Sequence, residues 1–166
     1  MQAITHFLAG IFINALIVRF IPLVWLQVIL IIVFGILSHA IIDTLTYFTY
    51  HPPDAPKPIT SDKFWLVWHG IVFLGSAVVL IYYWNLYWLG MGAAVLPDLY
   101  DWLFIRPVRS LKKDPDFMKG KDFHPFIDNF REKYLPWIPN WTHKRRGIIP
   151  ELIIWSFCFI VVEFLL

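Results

Sequence analysis

The sequence predicts an all-α integral membrane protein, a single domain over residues 1–166 built as a bundle of about five transmembrane helices with one basic, amphipathic cytoplasmic loop. Three observations predict it. Hydrophobic residues make up 58% of the chain and the mean hydropathy is +0.61, beyond the apolar share of soluble domains. Apolar runs recur at lengths suited to a bilayer, since about 20 residues rising about 1.5 Å each cross a hydrocarbon core of about 30 Å. Lys and Arg gather on one side of the alternating topology that these runs define.

The first run, residues 4–18, is short for a span. It lacks the cationic start and small-residue cleavage site of a secretory signal, so it reads as a membrane segment. A turn from Arg19 to Pro22 leads into the second span, residues 20–47. The third and fourth, 63–84 and 86–105, are almost continuous. One straight helix over both would be about 60 Å long, twice the core thickness, so the chain must turn back. Asn85 is the predicted break, because Tyr82, Tyr83, Trp84, Tyr87 and Trp88 around it suit a headgroup-level belt. The last span is 148–166. The one cysteine, Cys158, excludes an intramolecular disulfide.

Alternating five spans puts the N-terminus, the loop around 51–63 and the loop 106–147 on one face. Of 14 Lys and Arg, only Arg19 falls on the other. The positive-inside rule makes the cation-rich face cytoplasmic, which predicts a multi-pass protein of the inner or plasma membrane with a cytoplasmic N-terminus. The 106–147 loop carries eleven Lys and Arg against five Asp and Glu. Within it, Pro125 is placed to open a short helix at its first position, with Phe126, Ile127, Phe130 and Tyr134 along one face. That pattern suits a segment lying beside anionic lipid headgroups; a solvated basic loop that only fixes topology is the alternative. Orientation accounts for the charge, so no nucleic-acid partner is expected.

The functional signal is a set of ionisable side chains within or at the ends of the apolar runs: His6, His39, Asp43, His69, Asp98 and Asp101. Such groups are costly at bilayer depth and mark functional sites. His39 and Asp43 are four residues apart, and Asp98 and Asp101 three apart just after Pro97, so each pair shares a helical face. Counted from the opposite membrane face, His6, His39, His69 and Asp101 rise to roughly 20 Å and Asp98 to roughly 15 Å. Imidazoles and carboxylates at one depth are a divalent-metal ligand set. Taken singly, the histidines read as hydrogen-bonded interface residues, and Asp43 and Asp101 as helix-end carboxylates meeting water. His51, His124, Asp128 and His143 lie in the cytoplasmic loops and are additional candidates; His124 and Asp128 repeat the four-residue spacing. Glu151 reads as a first-turn carboxylate of the last span, and Asn14 and Glu163 as structural.

Gly35-Ile36-Leu37-Ser38-His39-Ala40-Ile41-Ile42-Asp43-Thr44-Leu45-Thr46 resembles the G-x-L-S-H-x-x-x-D-x-L-T motif of the YdjM-like membrane-bound metal-dependent hydrolases. Thr5-His6-Phe7-Leu8-Ala9-Gly10 is similar to that family's N-terminal histidine segment, and Leu96-Pro97-Asp98-Leu99-Tyr100-Asp101 to its L-P-D-x-D stretch. Trp102 stands where the family has a further histidine, and its His-Arg-Gly stretch is reduced to Trp68-His69-Gly70. The family is grouped with zinc-dependent phospholipase C and P1-type nucleases. The resemblance therefore implies one or two divalent ions, zinc foremost, and hydrolysis of a small-molecule or lipid phosphoester, with membrane lipid as the surrounding partner.

On that expectation His6, His39, Asp43, His69 and Asp98 hold metal, and Asp101, with Asp43, is the candidate catalytic carboxylate, as general base or bridging ligand. Arg106 and Arg109 are placed to clamp phosphate oxygens; anchoring the topology is the alternative for both. Two rivals stand beside the hydrolase. A non-catalytic membrane protein would use the cluster for a structural ion or for helix–helix hydrogen bonds. A metal or proton transporter would need polar groups continuing toward the opposite face, where these spans are aliphatic or aromatic.

Overall fold

A computed structural model describes residues 2–45, 50, 62–112, 123–141 and 144–165. Among the described residues the fold is all-helical and has no strands. α1 (Ala3–Phe20) and α2 (Val24–Thr44) form an antiparallel pair across a three-residue turn. α3 (Lys63–Leu99) continues through a wider π-helical turn (Tyr100–Ile105) into α4 (Arg106–Lys112). α5 (Phe123–Tyr134) is a separate amphipathic helix, and α6 (Ile148–Leu165) follows a 3-10 turn at Arg145–Gly147. Four helical stretches are long and apolar enough to cross a membrane: Ala3–Phe20, Val24–Thr44, Lys63–Lys112 and Arg145–Leu165.

The third stretch is 50 residues long, so its path decides the architecture. Tyr87 leaves helical geometry (φ −128°, ψ 16°) and divides α3 into two arms. The break lies two residues beyond Asn85, at a buried tyrosine packed against Tyr83. Side-chain contacts establish that the chain turns back there. Trp68 on the first arm stacks on Trp155, whose indole N–H donates to Thr5 on α1. Tyr83 donates to Glu163 near the far end of α6. Asp98, thirty residues past Trp68, has returned to the level of His39 and His6, both close to Thr5 along the bundle. A straight helix would carry Asp98 about 45 Å from Trp68.

Local chemistry explains the ends and the kink. Asp62 caps α3, accepting from the backbone N–H groups of Phe64 (3.0 Å) and Trp65 (3.1 Å). Pro97 removes one helical donor, and the π-helical turn follows three residues later. Helices α1 and the second arm of α3 approach through glycine: a Cβ on Gly10 would strike the Gly90 carbonyl, and one on Gly90 would strike that of Gly10. Small residues permit such backbone contact between apolar helices, where close packing replaces the hydrophobic effect as the driving force.

α5 begins at Phe123, two residues before the expected start at Pro125. The reason is tertiary. Asp101 accepts the backbone N–H groups of Phe123 and His124, so a carboxylate from the π-helical turn caps this helix. Pro125 then falls within the first turn, where its missing N–H breaks no helical bond. Of the four residues expected on its apolar face, Ile127 is buried while Phe126, Phe130 and Tyr134 are exposed.

Candidate metal centre

Helix geometry delivers the ligands. His39 and Asp43 lie one turn apart on the face of α2 that meets α1 and α3, and both are buried. His6 comes from α1, Asp98 from the end of α3, and His124 from the first turn of α5. Their facing atoms converge on the Asp43 carboxylate. His6 Nε2 is 3.3 Å from Oδ1, while His39 Nε2 and His124 Nε2 are 3.1 and 3.2 Å from Oδ2. Asp98 Oδ1 stands 3.0 Å from His124 Nε2 and 4.0 Å from His39 Nε2. The rings of His6 and His39 are stacked, with centroids 4.2 Å apart.

This arrangement can hold a cation. His39 Nδ1–H donates to the Ala94 carbonyl at 2.8 Å, which leaves the lone pair on Nε2. That Nε2, and both ring nitrogens of His6, are buried and make no hydrogen bond among the described residues, although Asp43 is within ion-pair distance. Two ligands bound to one ion at about 2.0–2.1 Å sit roughly 3–3.4 Å apart when adjacent, which is the spacing found here. His39 belongs to both groupings that can hold an ion, His6–His39–Asp43 and His39–Asp98–His124. Because its Nδ1 is already used, His39 offers one nitrogen, and the two groupings share it.

Behind the site, Asp101 pairs with His124 Nδ1 and turns Nε2 toward Asp43 and Asp98. A histidine ligand is commonly oriented this way, by a carboxylate on its other nitrogen. The Asp43 and Asp98 carboxylates push the His124 imidazole up to about 10, with Asp101 adding to the effect. A cation entering among these carboxylates therefore competes with a proton on His124.

Exposure differs sharply within the set. His6, His39, Asp43 and Asp101 are 0–3% exposed, whereas the side chains of Asp98 and His124 are each 30% exposed. The centre therefore opens at the Asp98–His124 edge.

Several expectations change. His69 does not join the site: its Nδ1 donates to the Trp65 carbonyl and its ring stacks on Trp65. Its neighbour Trp68 takes the inward position, and one residue along a helix turns a side chain about 100° away. Asp101 pairs with His124 and caps α5, and it stands outside both ligand groupings. Asp128 is exposed and bound by Arg131. Arg106 lies over the Trp102 ring. His51 and His143 lie outside the described residues.

Asp43 is the hub of the centre, and His124 is a full member rather than an accessory. The sequence signal for His124 was its place on the loop helix; the carboxylate that fixes it lies 23 residues away. The Ala94 carbonyl had no signal, since a backbone acceptor is invisible to motif reading.

Comparison with protein-family models, with curated proteins and with solved structures found no match.

Proposed function

We propose that this chain is an integral membrane hydrolase of phosphoesters, dependent on a divalent metal, crossing the membrane five times with its ligand cluster near the cytoplasmic face. One observation carries the reading: three imidazoles and two carboxylates from four helices lie within ligand-to-ligand distance, and buried ring nitrogens of His6 and His39 have no hydrogen-bond partner among the described residues. The asymmetry of Lys and Arg supports a cytoplasmic N-terminus, and the three motifs shared with the YdjM-like hydrolases support the reaction class and zinc as the metal.

In this reading His6, His39, Asp43, Asp98 and His124 hold the ion. A bound divalent ion supplies Lewis acidity, which acidifies water and stabilises charge on phosphoryl oxygens. The chain supplies the rest. Ala94 and Asp101 fix the tautomers of His39 and His124. The buried walls keep bulk water from three of the ligands, and the Asp98–His124 edge admits the substrate headgroup. Residues Arg106 and Arg109, on the helical continuation beyond Asp101, place cationic charge near that level.

The test is hydrolysis of a panel of phosphomonoesters and phospholipids by the detergent-purified protein, before and after chelation. Turnover abolished by chelation and restored by zinc or manganese supports the proposal. The burial of His6, His39 and Asp43 favours a second reading, a structural ion. Loss of thermal stability on chelation without turnover of any panel member would select it.

A further inference from the structure

We infer that Gly35 is a positioning residue of the candidate metal centre. By letting α2 lie against Ala93 and Ala94 on the second arm of α3, it brings the His39 Nδ1–H to the Ala94 carbonyl and leaves Nε2 as the nitrogen offered to an ion. The inference rests on the metal reading of the centre.

Gly35 and His39 are one turn apart on the same buried face of α2. Glycine is a costly residue inside a helix, and here its missing side chain is what the packing uses. A Cβ on Gly35 would lie 2.6 Å from the Ala93 Cβ, 3.2 Å from the Ala94 backbone nitrogen and 3.3 Å from the Ala93 carbonyl carbon. Ala93 and Ala94 are themselves buried and small, so each helix presents its least bulky surface to the other. One turn further along α2, His39 Nδ1 donates to the Ala94 carbonyl at 2.8 Å. The alanine that touches Gly35 is thus the one that holds the His39 ring.

The distances show how little slack this seam has. Non-bonded carbons settle at about 3.5–4.0 Å, so a methyl group on Gly35 would push the helices apart there by about 1 Å. An opening of that size stretches the Nδ1–Ala94 bond beyond the roughly 3.2 Å limit of a good N–H···O bond. His39 would then lose the contact that fixes its tautomer and its orientation, which a histidine ligand takes from the partner of its other nitrogen. Asp98 feels the same seam. It follows Ala94 by one turn on α3, and its Oδ1 stands 4.0 Å from His39 Nε2.

The test moves the colliding methyl across the seam. Zinc affinity is measured with a competing chelator for wild type, Gly35→Ala, the double variant Gly35→Ala/Ala93→Gly, and Gly92→Ala, where a Cβ meets nothing within 4 Å. Gly35→Ala should bind zinc about 10- to 100-fold more weakly than wild type, and Gly92→Ala should stay within about twofold. The double variant lacks the Ala93 Cβ, and the approaches that remain ask for a shift of a few tenths of an ångström, so it should recover to within about threefold of wild type. In parallel, the His39 Nδ1–H is followed by NMR in metal-free, 15N-labelled protein. It should be protected from solvent exchange in wild type and in the double variant, and unprotected in Gly35→Ala. Unchanged affinity and a protected Nδ1–H in Gly35→Ala would overturn the inference. So would a folded double variant whose Nδ1–H stays unprotected, and this arm decides the matter even if Gly35→Ala does not fold. The two readings separate cleanly. Protection lost in Gly35→Ala and restored in the double variant, with no zinc bound by wild type, keeps the role of Gly35 in holding His39 and removes the metal. Zinc bound equally by wild type and Gly35→Ala keeps the metal and removes the positioning role.

Discussion

Asp101 and His124 are joined twice over: the aspartate accepts the imidazole Nδ1–H and, with the same carboxylate, the backbone N–H groups of Phe123 and His124. One buried carboxylate thereby starts a helix and aims a ligand. The candidate metal centre is coupled through this pair to the docking of α5 on the bundle, because His124 reaches Asp43 and Asp98 only while α5 is held there.

Asp101→Ala should therefore weaken zinc binding by about 10- to 100-fold, the usual effect of removing a carboxylate behind a histidine ligand. Titration with a competing chelator would measure it. Unchanged affinity would show that α5 and His124 are held by something else.

His69→Ala should leave metal affinity within about twofold of wild type, since that ring is engaged with Trp65 and not with the centre. His6→Ala, made in parallel, removes a ligand and should lower affinity by well over about tenfold. Equal losses in the two variants would restore His69 to the ligand set.

Gly10→Val should destabilise the bundle by about 2–4 kcal/mol, because the new side chain meets the Gly90 backbone, which cannot swing aside. Gly92→Ala, where a Cβ meets nothing within 4 Å, should change stability by no more than about 0.5 kcal/mol. Thermal unfolding in detergent compares the two. A similar loss in both would mean that the close approach of α1 and α3 is not what holds them.

The cap at Asp62 predicts a pH dependence. Its carboxyl is held below the usual carboxylate range, first by the Tyr50 hydroxyl and then by the backbone N–H groups of Trp65 and Phe64. A depressed carboxylate contributes stability above its unfolded value near 3.8, and that contribution is lost as pH falls through the lower folded value. The stability difference between wild type and Asp62→Ala should thus shrink as pH is lowered from 6 toward 3 (roughly the window between neutral pH and the onset of carboxylate protonation). A difference that stays constant across that range would contradict the assignment of Asp62 as an ionised cap.

Much of this architecture was legible in the sequence because helices long and apolar enough to cross a membrane announce themselves by length and composition. The level of His6, His39 and Asp98 was legible for a related reason: a helix converts residue number into depth at a fixed rise. Direction around the helix was harder to read. His69 has the right depth and the wrong face, and only the packing of Trp68 against Trp155 decides between them. The break in α3 was placed within two residues because a double-length run must reverse somewhere; it falls at Tyr87, whose ring packs on Tyr83. His124 and Asp101 were the least legible. Their partnership spans a loop, and no local periodicity links a membrane helix end to a helix on the surface.

The most direct test of the centre is the metal content of the detergent-purified protein, wild type against His39→Ala and Asp43→Ala, by elemental analysis with folding verified by circular dichroism. The site described above predicts at least about one divalent ion per folded wild-type chain and near-complete loss in both variants. Folded variants that keep the wild-type complement, or a folded wild type that takes up no divalent ion even from zinc-supplemented buffer, would contradict it.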